Sequence, residues 1–555
     1  MKYTFKKAMI FGLGCLMGLT SCSDSWLKTD STQTAEGDAI FSTTDNAKLV
    51  INGICRTMVQ QHGYYGQMFN GEGTMKVLYG EYAGQDLNFP YMSPGWSPIM
   101  NNESSQTQNS SSIYDSYPWY YYYLIIGNAN AVINRIDKAE GSQEEKDFLK
   151  AEALTFRAYS FFRLAELYCE PWARSNDGAT DGVVLRIKEV AEAGEETDLK
   201  LSTLAETYKQ VYDDLDEALR LYEVSGLTRD DIYWDATSNI SFPDAPVAHA
   251  IYARAALTRQ DYAVAKEHAA LARANFPLMD TNTYYSGFCT PSSEWIWGVY
   301  NDASETIWYY GWQLFMACNG YYAQQNINVC INRDLVESFA DSDIRKGLFL
   351  TESTFLPEDG SKTFLEVVGT ESRNANKFNS TAEGQAASTK ANKYVKETVA
   401  SATSQAYAYA SLKFQATAQP AVGCQPIFRA SEMLLIEAEA NYYLSSDPTA
   451  AQNSLVELNK DSGRDPQYTC TVTGEDLLKE IKKYRRLELW GEGFSWYDCK
   501  RWGDPVVRNS FKEGGNYSSY ISGTFGFKDG NYVSEFWKWI LPNRESDYNS
   551  AIEMK

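Results

Sequence analysis

Apolar residues in this chain recur every three or four positions over long stretches, the spacing that paints one stripe on an α-helix. In the segment 143–170, Leu154, Ala158, Phe161, Ala165 and Tyr168 draw such a stripe, and Pro171 stops it. The segment 119–139, just after Pro118, is predicted as its neighbour. Leu204, Tyr208, Val211, Leu215, Ala218 and Tyr222 mark a helix over 201–222, and a first helix is expected over 44–61. Two further segments read as helical hairpins. One joins 246–257 to 261–274, with Tyr262, Ala265, Ala269 and Ala272 along its second arm. The other joins 428–444 to a helix through Ala451, Leu455 and Leu458. Small residues at the crossings and a length of about thirty residues point to tetratricopeptide-like pairs.

Elsewhere the periodicity fails. Residues 62–118 are rich in Gly, Asn, Pro and aromatics and read as one long irregular stretch, a kind of segment that is usually functional. Residues 279–427 read as insertions, with a short strand over 294–300; residues 475–502 return to helix, and 503–555 form an irregular aromatic tail. The expected fold is predominantly α: helical pairs carrying long irregular insertions and a few short strands. The expected division is 1–21, 22–42, 43–278 and 279–555.

The first of these divisions is an export signal. Lys2, Lys6 and Lys7 precede the apolar run 8–19, which is too short to span a bilayer. Leu19-Thr20-Ser21-Cys22 then has the form of a lipoprotein cleavage site, so Cys22 is expected to become an acylated N-terminus followed by a tether over 22–42. With 50 basic and 72 acidic residues, and three of the lysines in the signal, the mature chain is strongly acidic. That sign opposes nucleic-acid binding and attraction to anionic lipid. The cysteines outside the signal and its cleavage site are widely and irregularly spaced, with no C-x-x-C pair, and most are expected to be buried thiols. Three histidines leave little for a serine, cysteine or zinc hydrolase. No metal site or cofactor is expected.

The densest pattern is Arg485-Arg486-Leu487-Glu488-Leu489-Trp490-Gly491-Glu492-Gly493-Phe494, continuing through Asp498, Arg501 and Trp502. Gly491 suits a left-handed helix end, and the arginines are placed to pair with Glu488, Glu492 and Asp498. As isolated chemistry, Glu488 and Glu492 could form a glycosidase carboxylate pair. Equal numbers of neighbouring arginines favour a structural ion network instead.

This segment closely resembles the C-terminal signature of the SusD/RagB family of surface glycan-binding lipoproteins. Residues 151–161 (from Ala151-Glu152-Ala153-Leu154) resemble its long N-terminal helix, 428–440 (from Phe428-Arg429-Ala430-Ser431-Glu432) its second hairpin, and Trp539-Ile540-Leu541-Pro542 with Glu545 and Asn549 its closing motif. Ser495 and Cys499 depart from the signature, where Arg and Leu are common. The resemblance implies a lipid-anchored outer-membrane protein facing the exterior and lying over a SusC-like TonB-dependent transporter. It implies binding of an oligosaccharide without catalysis.

Sugar rings pack their C–H faces on Trp and Tyr and need a few fixed polar partners. Two loop regions offer this. The first holds Asp86, Tyr91, Trp96 and Asn101; the second holds Trp308, Tyr309 and Trp312. Peptide capture and a surface glycosidase are the competing readings. No glycine-rich nucleotide loop, G-x-S-x-G elbow or H-E-x-x-H pair supports an enzyme.

Overall fold

The computed structural model describes residues 40–88, 108–189, 198–233, 235, 237–303, 311–321, 329–351, 359–361 and 408–552. Cys22 and the signal lie outside them.

The helices form where the periodicity places them, and their ends follow local chemistry. Helix α1 (Thr44–Val59) is capped by the Thr43 hydroxyl, which accepts from Asn46 N at 3.2 Å. A hairpin follows, β1 (His62–Tyr64) with β2 (Gln67–Phe69). A helical segment, Gly71–Thr74 continuing as the π-helical Met75–Tyr82, is buried throughout and leads to β3 (Leu87–Asn88). Next come α2 (Ile113–Arg135) and α3 (Gln143–Tyr168), then β4 (Asp181–Val184) paired with β5 (Leu201–Thr203). Helix α4 (Leu204–Ser225) starts in a Thr203–Glu206 capping box and ends at Gly226, φ 65°. Helices α5 (Ala245–Thr258) and α6 (Tyr262–Arg273) precede β6 (Trp295–Val299) and β7 (Cys330–Ile331). Finally β8 (Gln425–Arg429) runs into α7 (Ala430–Leu444), followed by α8 (Thr449–Val456), α9 (Gly474–Glu488) and α10 (Ser495–Trp502).

Successive helices pack on one another: α2 on α3, α3 on α4, α4 on α5, α5 on α6, α6 on α7 and α7 on α8. This is the expected array of helical pairs, with short two-stranded ladders as the only sheets among the described residues. One large apolar core runs through it, with two small clusters beside it around Leu314 and around Trp295.

Two expectations need correction. The stretch 62–118 is not one irregular loop, because residues 71–82 are interior helix. Two glycines of that helix are places of close approach: a Cβ on Gly80 would stand 2.2 Å from Gly493 O, and one on Gly73 2.9 Å from Trp312 N. Helix α2 also begins six residues before Trp119, with Pro118 inside it. The ring leaves the Tyr114 and Asp115 carbonyls without their usual helical donors. The Tyr79 hydroxyl donates to Tyr114 O at 2.6 Å, and the Tyr168 hydroxyl donates to Asp115 O while accepting from Trp119 N at 3.2 Å. Side chains supply the bonds that proline removed.

Burial pushes the Asp115 carboxyl up to about 9, countered only in part by the Ile540 N–H. The folded protein therefore holds this proton through neutral pH, whereas the unfolded chain releases it near its ordinary value. Unfolding then sheds a proton, and stability falls by about 1.4 kcal/mol per pH unit as pH rises through that window. Asp115→Asn keeps the shape and removes the proton. Melting curves of the variant should lose this pH dependence and lie above wild type at pH 8; parallel curves would contradict the assignment.

Candidate functional site

The signature segment builds a rigid junction rather than a reactive pair. Glu488 closes α9 and is fully buried. Its carboxylate accepts from Arg345 Nη1 at 3.0 Å, Arg429 Nη1 at 3.1 Å and Arg464 Nε at 3.0 Å. Glu492 is held by Arg429 Nη2 at 2.8 Å and Lys413 Nζ at 2.9 Å, and Arg464 reaches Glu294 at 2.9 Å. Asp343 on Arg345 at 2.6 Å completes four acids against four bases. Burial alone would raise Glu488, but Arg464, Arg429 and Arg345 outweigh it and hold the carboxyl well below the usual range. Burial likewise opposes, and Arg429 and Lys413 overcome, in lowering Glu492. Both carboxylates are ionised, enclosed and fully engaged. That geometry leaves neither available as the proton-donating member of a glycosidase pair.

The junction also anchors the bases of both aromatic loop regions. Strands β3 and β7 pair Leu87 with Ile331 and Asn88 with Cys330, so the start of the first region lies beside the residues that follow the second in the chain. Asn516 clasps this ladder: Asn88 Nδ2 donates to Asn516 O at 2.7 Å, and Asn516 Nδ2 to Ile331 O at 2.9 Å. Ser495, one of the departures from the signature, accepts from Gln85 N at 2.9 Å and Asp86 N at 3.3 Å.

Of the sequence-predicted ligand residues, Tyr91, Trp96, Asn101, Trp308 and Tyr309 lie outside the described residues. Asp86 and Trp312 are described, and both are interior, which corrects their assignment. Asp86 is 3% exposed, with Arg486 bound to its carboxylate at 2.6 and 2.9 Å. Trp312 has no exposed surface. It stands edge-on to Phe414 at 4.6 Å, and its indole N–H donates to Gly491 O at 2.7 Å. Its neighbours Gln313 and Asn319 are likewise buried, bonded to the backbone at Cys424 and Ala416. Trp295 and Trp297 are core residues, as expected.

What the structure does gather at the foot of the second region is a cleft of about 350 Å³. Tyr300, Asn301 and Asp302 follow β6 directly and lead to Ala303, the last described residue before the 304–310 segment. Opposite them, α1 presents the exposed Asn52 and Arg56. The floor is a ring pair, Tyr233 stacked on Phe242 with centroids 3.6 Å apart and planes 13° apart. Tyr233 is fixed by its hydroxyl on Glu152 at 2.8 Å. The Tyr300 backbone is fixed by Ser241 at 2.8 Å, and its hydroxyl donates to Asp302 at 3.3 Å. At the rim, Thr237 N–H and the Ser238 hydroxyl hold the Asp235 carboxyl below its ordinary value. Flat rings with amide, carboxylate and guanidinium groups around them suit a polyhydroxylated ligand. Sequence reasoning missed this set. Only the polar triplet after a strand signalled it, since Arg56 and Tyr233 come from segments far away in the chain.

Comparison with known proteins identifies the architecture. Residues 293–551 match the profile of the SusD family, and residues 76–226 match a profile described as starch-binding associating with outer membrane. The chain belongs to the SusD/RagB family. Its SusD fold is similar to that of a SusD-like carbohydrate binding protein from Bacteroides vulgatus ATCC 8482 (TM-score 0.68, 22% identity, covering 92% of this chain and 97% of that one). It is also similar to a SusD superfamily protein from Bacteroides thetaiotaomicron VPI-5482 (TM-score 0.66, 22% identity, covering 92% and 99%). No curated protein matches the chain in sequence. The SusD family is a group of outer-membrane-associated lipoproteins with a general role in glycan binding and nutrient uptake. Among the described residues, no helix is long and apolar enough to cross a membrane.

Proposed function

We propose that this protein is a lipid-anchored, outward-facing glycan-binding component of the outer membrane, which captures an oligosaccharide and passes it to a SusC-like TonB-dependent transporter without bond chemistry. The observation that carries this reading is the ring-floored cleft at the base of the second loop region, in a chain of the SusD family. Cys22 is the proposed acylation site. Tyr91, Trp96, Asn101, Trp308 and Tyr309 remain proposed ligand contacts, joined by Tyr300, Asp302 and Arg56.

The test is retention of the soluble domain (Cys22 removed) across a polysaccharide panel, with calorimetry on the oligosaccharides of whichever polymer is retained. Tyr300→Ala and Asp302→Ala should each weaken binding by about 2 kcal/mol, roughly thirtyfold, with an unchanged melting temperature. Heat on titration with peptides but with no saccharide would favour peptide capture. Release of sugar from the panel by the purified protein would reinstate a glycosidase.

A further inference from the structure

We infer that a second sugar-binding site lies at the β1–β2 turn, built from elements the cleft does not use. The β1–β2 turn places Tyr65 at φ 49° and Gly66 at φ 84°, the two-residue turn in which both central residues are left-handed. Asn, Asp or Gly normally fills the first of these positions, and a bulky ring there is an outlier that the surrounding structure has to sustain. The backbone carries that strain, and the result is a phenol ring held out in solvent, 62% exposed.

Tyr65 does not stand alone. Its ring meets Tyr64 edge-on at 4.8 Å, and Tyr64 stacks on Tyr120 at 4.9 Å, with planes 29° apart. Tyr120 is itself 42% exposed, so the three rings form a stepped shelf, exposed at both ends and buried in the middle. Arg544 lies 3.5 Å above the Tyr65 ring and bonds its hydroxyl. The shelf borders a cavity of about 460 Å³ whose back wall is polar. There Glu545, 8% exposed, accepts from Trp119 Nε1 at 3.0 Å and Arg186 Nη2 at 2.6 Å, and Ser116 meets the Tyr64 hydroxyl at 3.1 Å.

The pieces match one ligand chemistry. Exposed ring faces take the C–H side of a pyranose, and a guanidinium fork beside them takes vicinal hydroxyls. The concavity has the volume of a small-molecule site, where a protein-binding surface would be flatter and wider. Glu545 already bonds an indole and a guanidinium, so it orders the wall and leaves a neutral sugar better suited than a cation. The cleft draws on α1, residues 233–242 and residues 300–302; the shelf draws on the β1–β2 turn, α2 and the segment after Pro542. Two sites on one molecule let a polymer bind at both, which raises retention without any new contact to a short ligand.

This inference rests on the reading of the protein as a glycan binder, and native affinity gels cast with amylopectin, xylan, galactan or mannan separate the two. Wild type, a cleft variant (Tyr300→Ala with Asp302→Ala), two shelf variants (Tyr120→Ala and Arg544→Gln) and the combination are run side by side, each with a melting curve. In the polymer that retards wild type, either shelf variant should weaken retention about tenfold. The cleft variant should keep residual retention, and adding Arg544→Gln should abolish it. Arg544 is exposed, so this variant answers the question even where Tyr120→Ala perturbs folding. Retention of both shelf variants equal to wild type would overturn the second site while leaving the cleft intact. Migration of wild type unaffected by every polymer would overturn the glycan reading and the shelf with it.

Discussion

Glu488→Gln is expected to destabilise the protein by about 3–5 kcal/mol, the scale of breaking a buried ion pair by removing one partner. That is a large share of the 5–15 kcal/mol by which domains are typically stable, so most of the variant should be aggregated or molten at physiological temperature. The substitution keeps the side-chain shape and deletes one charge from a balanced set. Arg345, Arg429 and Arg464 all donate to this carboxylate and are at most 1% exposed. Four bases would then face three acids in an interior where each of these side chains is at most 3% exposed. Thermal unfolding checks the size of the loss. A second substitution, Arg464→Met in the Glu488→Gln background, should restore part of it by removing the surplus cation, because Glu294, the other acid on Arg464, keeps Arg429. A melting temperature for Glu488→Gln within a degree or two of wild type would mean that the cluster is neutralised in some other way.

Trp312→Ala is expected to cost about 3–5 kcal/mol through the cavity it leaves, and its glycan affinity per folded molecule should equal that of wild type. The indole is wholly enclosed, packed on Phe414, and closes the elbow by donating to Gly491 O. It also sits beneath the Lys76 ammonium, 5.3 Å from the ring centre. A sugar cannot reach any of its faces. This outcome separates Trp312 from Trp96 and Trp308, whose replacement by alanine should reduce retention and leave the melting temperature alone. Unfolding monitored by calorimetry, paired with affinity corrected for the folded fraction, is the measurement. A selective loss of binding at unchanged stability would return Trp312 to the ligand set.

The two expected results have a common cause. Aromatic and charged residues are the chemistry of sugar recognition, and here the same residue types also build the interior. Asp498 is held by Arg485 and Arg501, each at 2.7 Å, partners that the spacing within one segment already named. Glu488 and Glu492 could be read as ionised and structural from their arginine-rich surroundings. Their actual partners, Arg345, Arg429, Arg464 and Lys413, come from three distant segments that no local pattern connects to them. The error over residues 71–82 had the same origin. Glycines that read as loop composition are contact points between backbones, and that meaning exists only once Gly493 and Trp312 are brought up against them.

Periodic apolar spacing was enough to determine most of the long helices and the two helical hairpins, because those follow from forces acting within about one turn of chain, whereas the buried helix over 71–82 and the start of α2 before Pro118 were not legible that way. The signature residues were enough to determine the family. Only the tertiary structure decided which aromatics are exposed, since burial depends on what arrives from elsewhere in the chain. It buried Trp312 and Asp86, left Tyr65 and Tyr120 in solvent, and set Arg56 of the first helix across a cleft from Asp302.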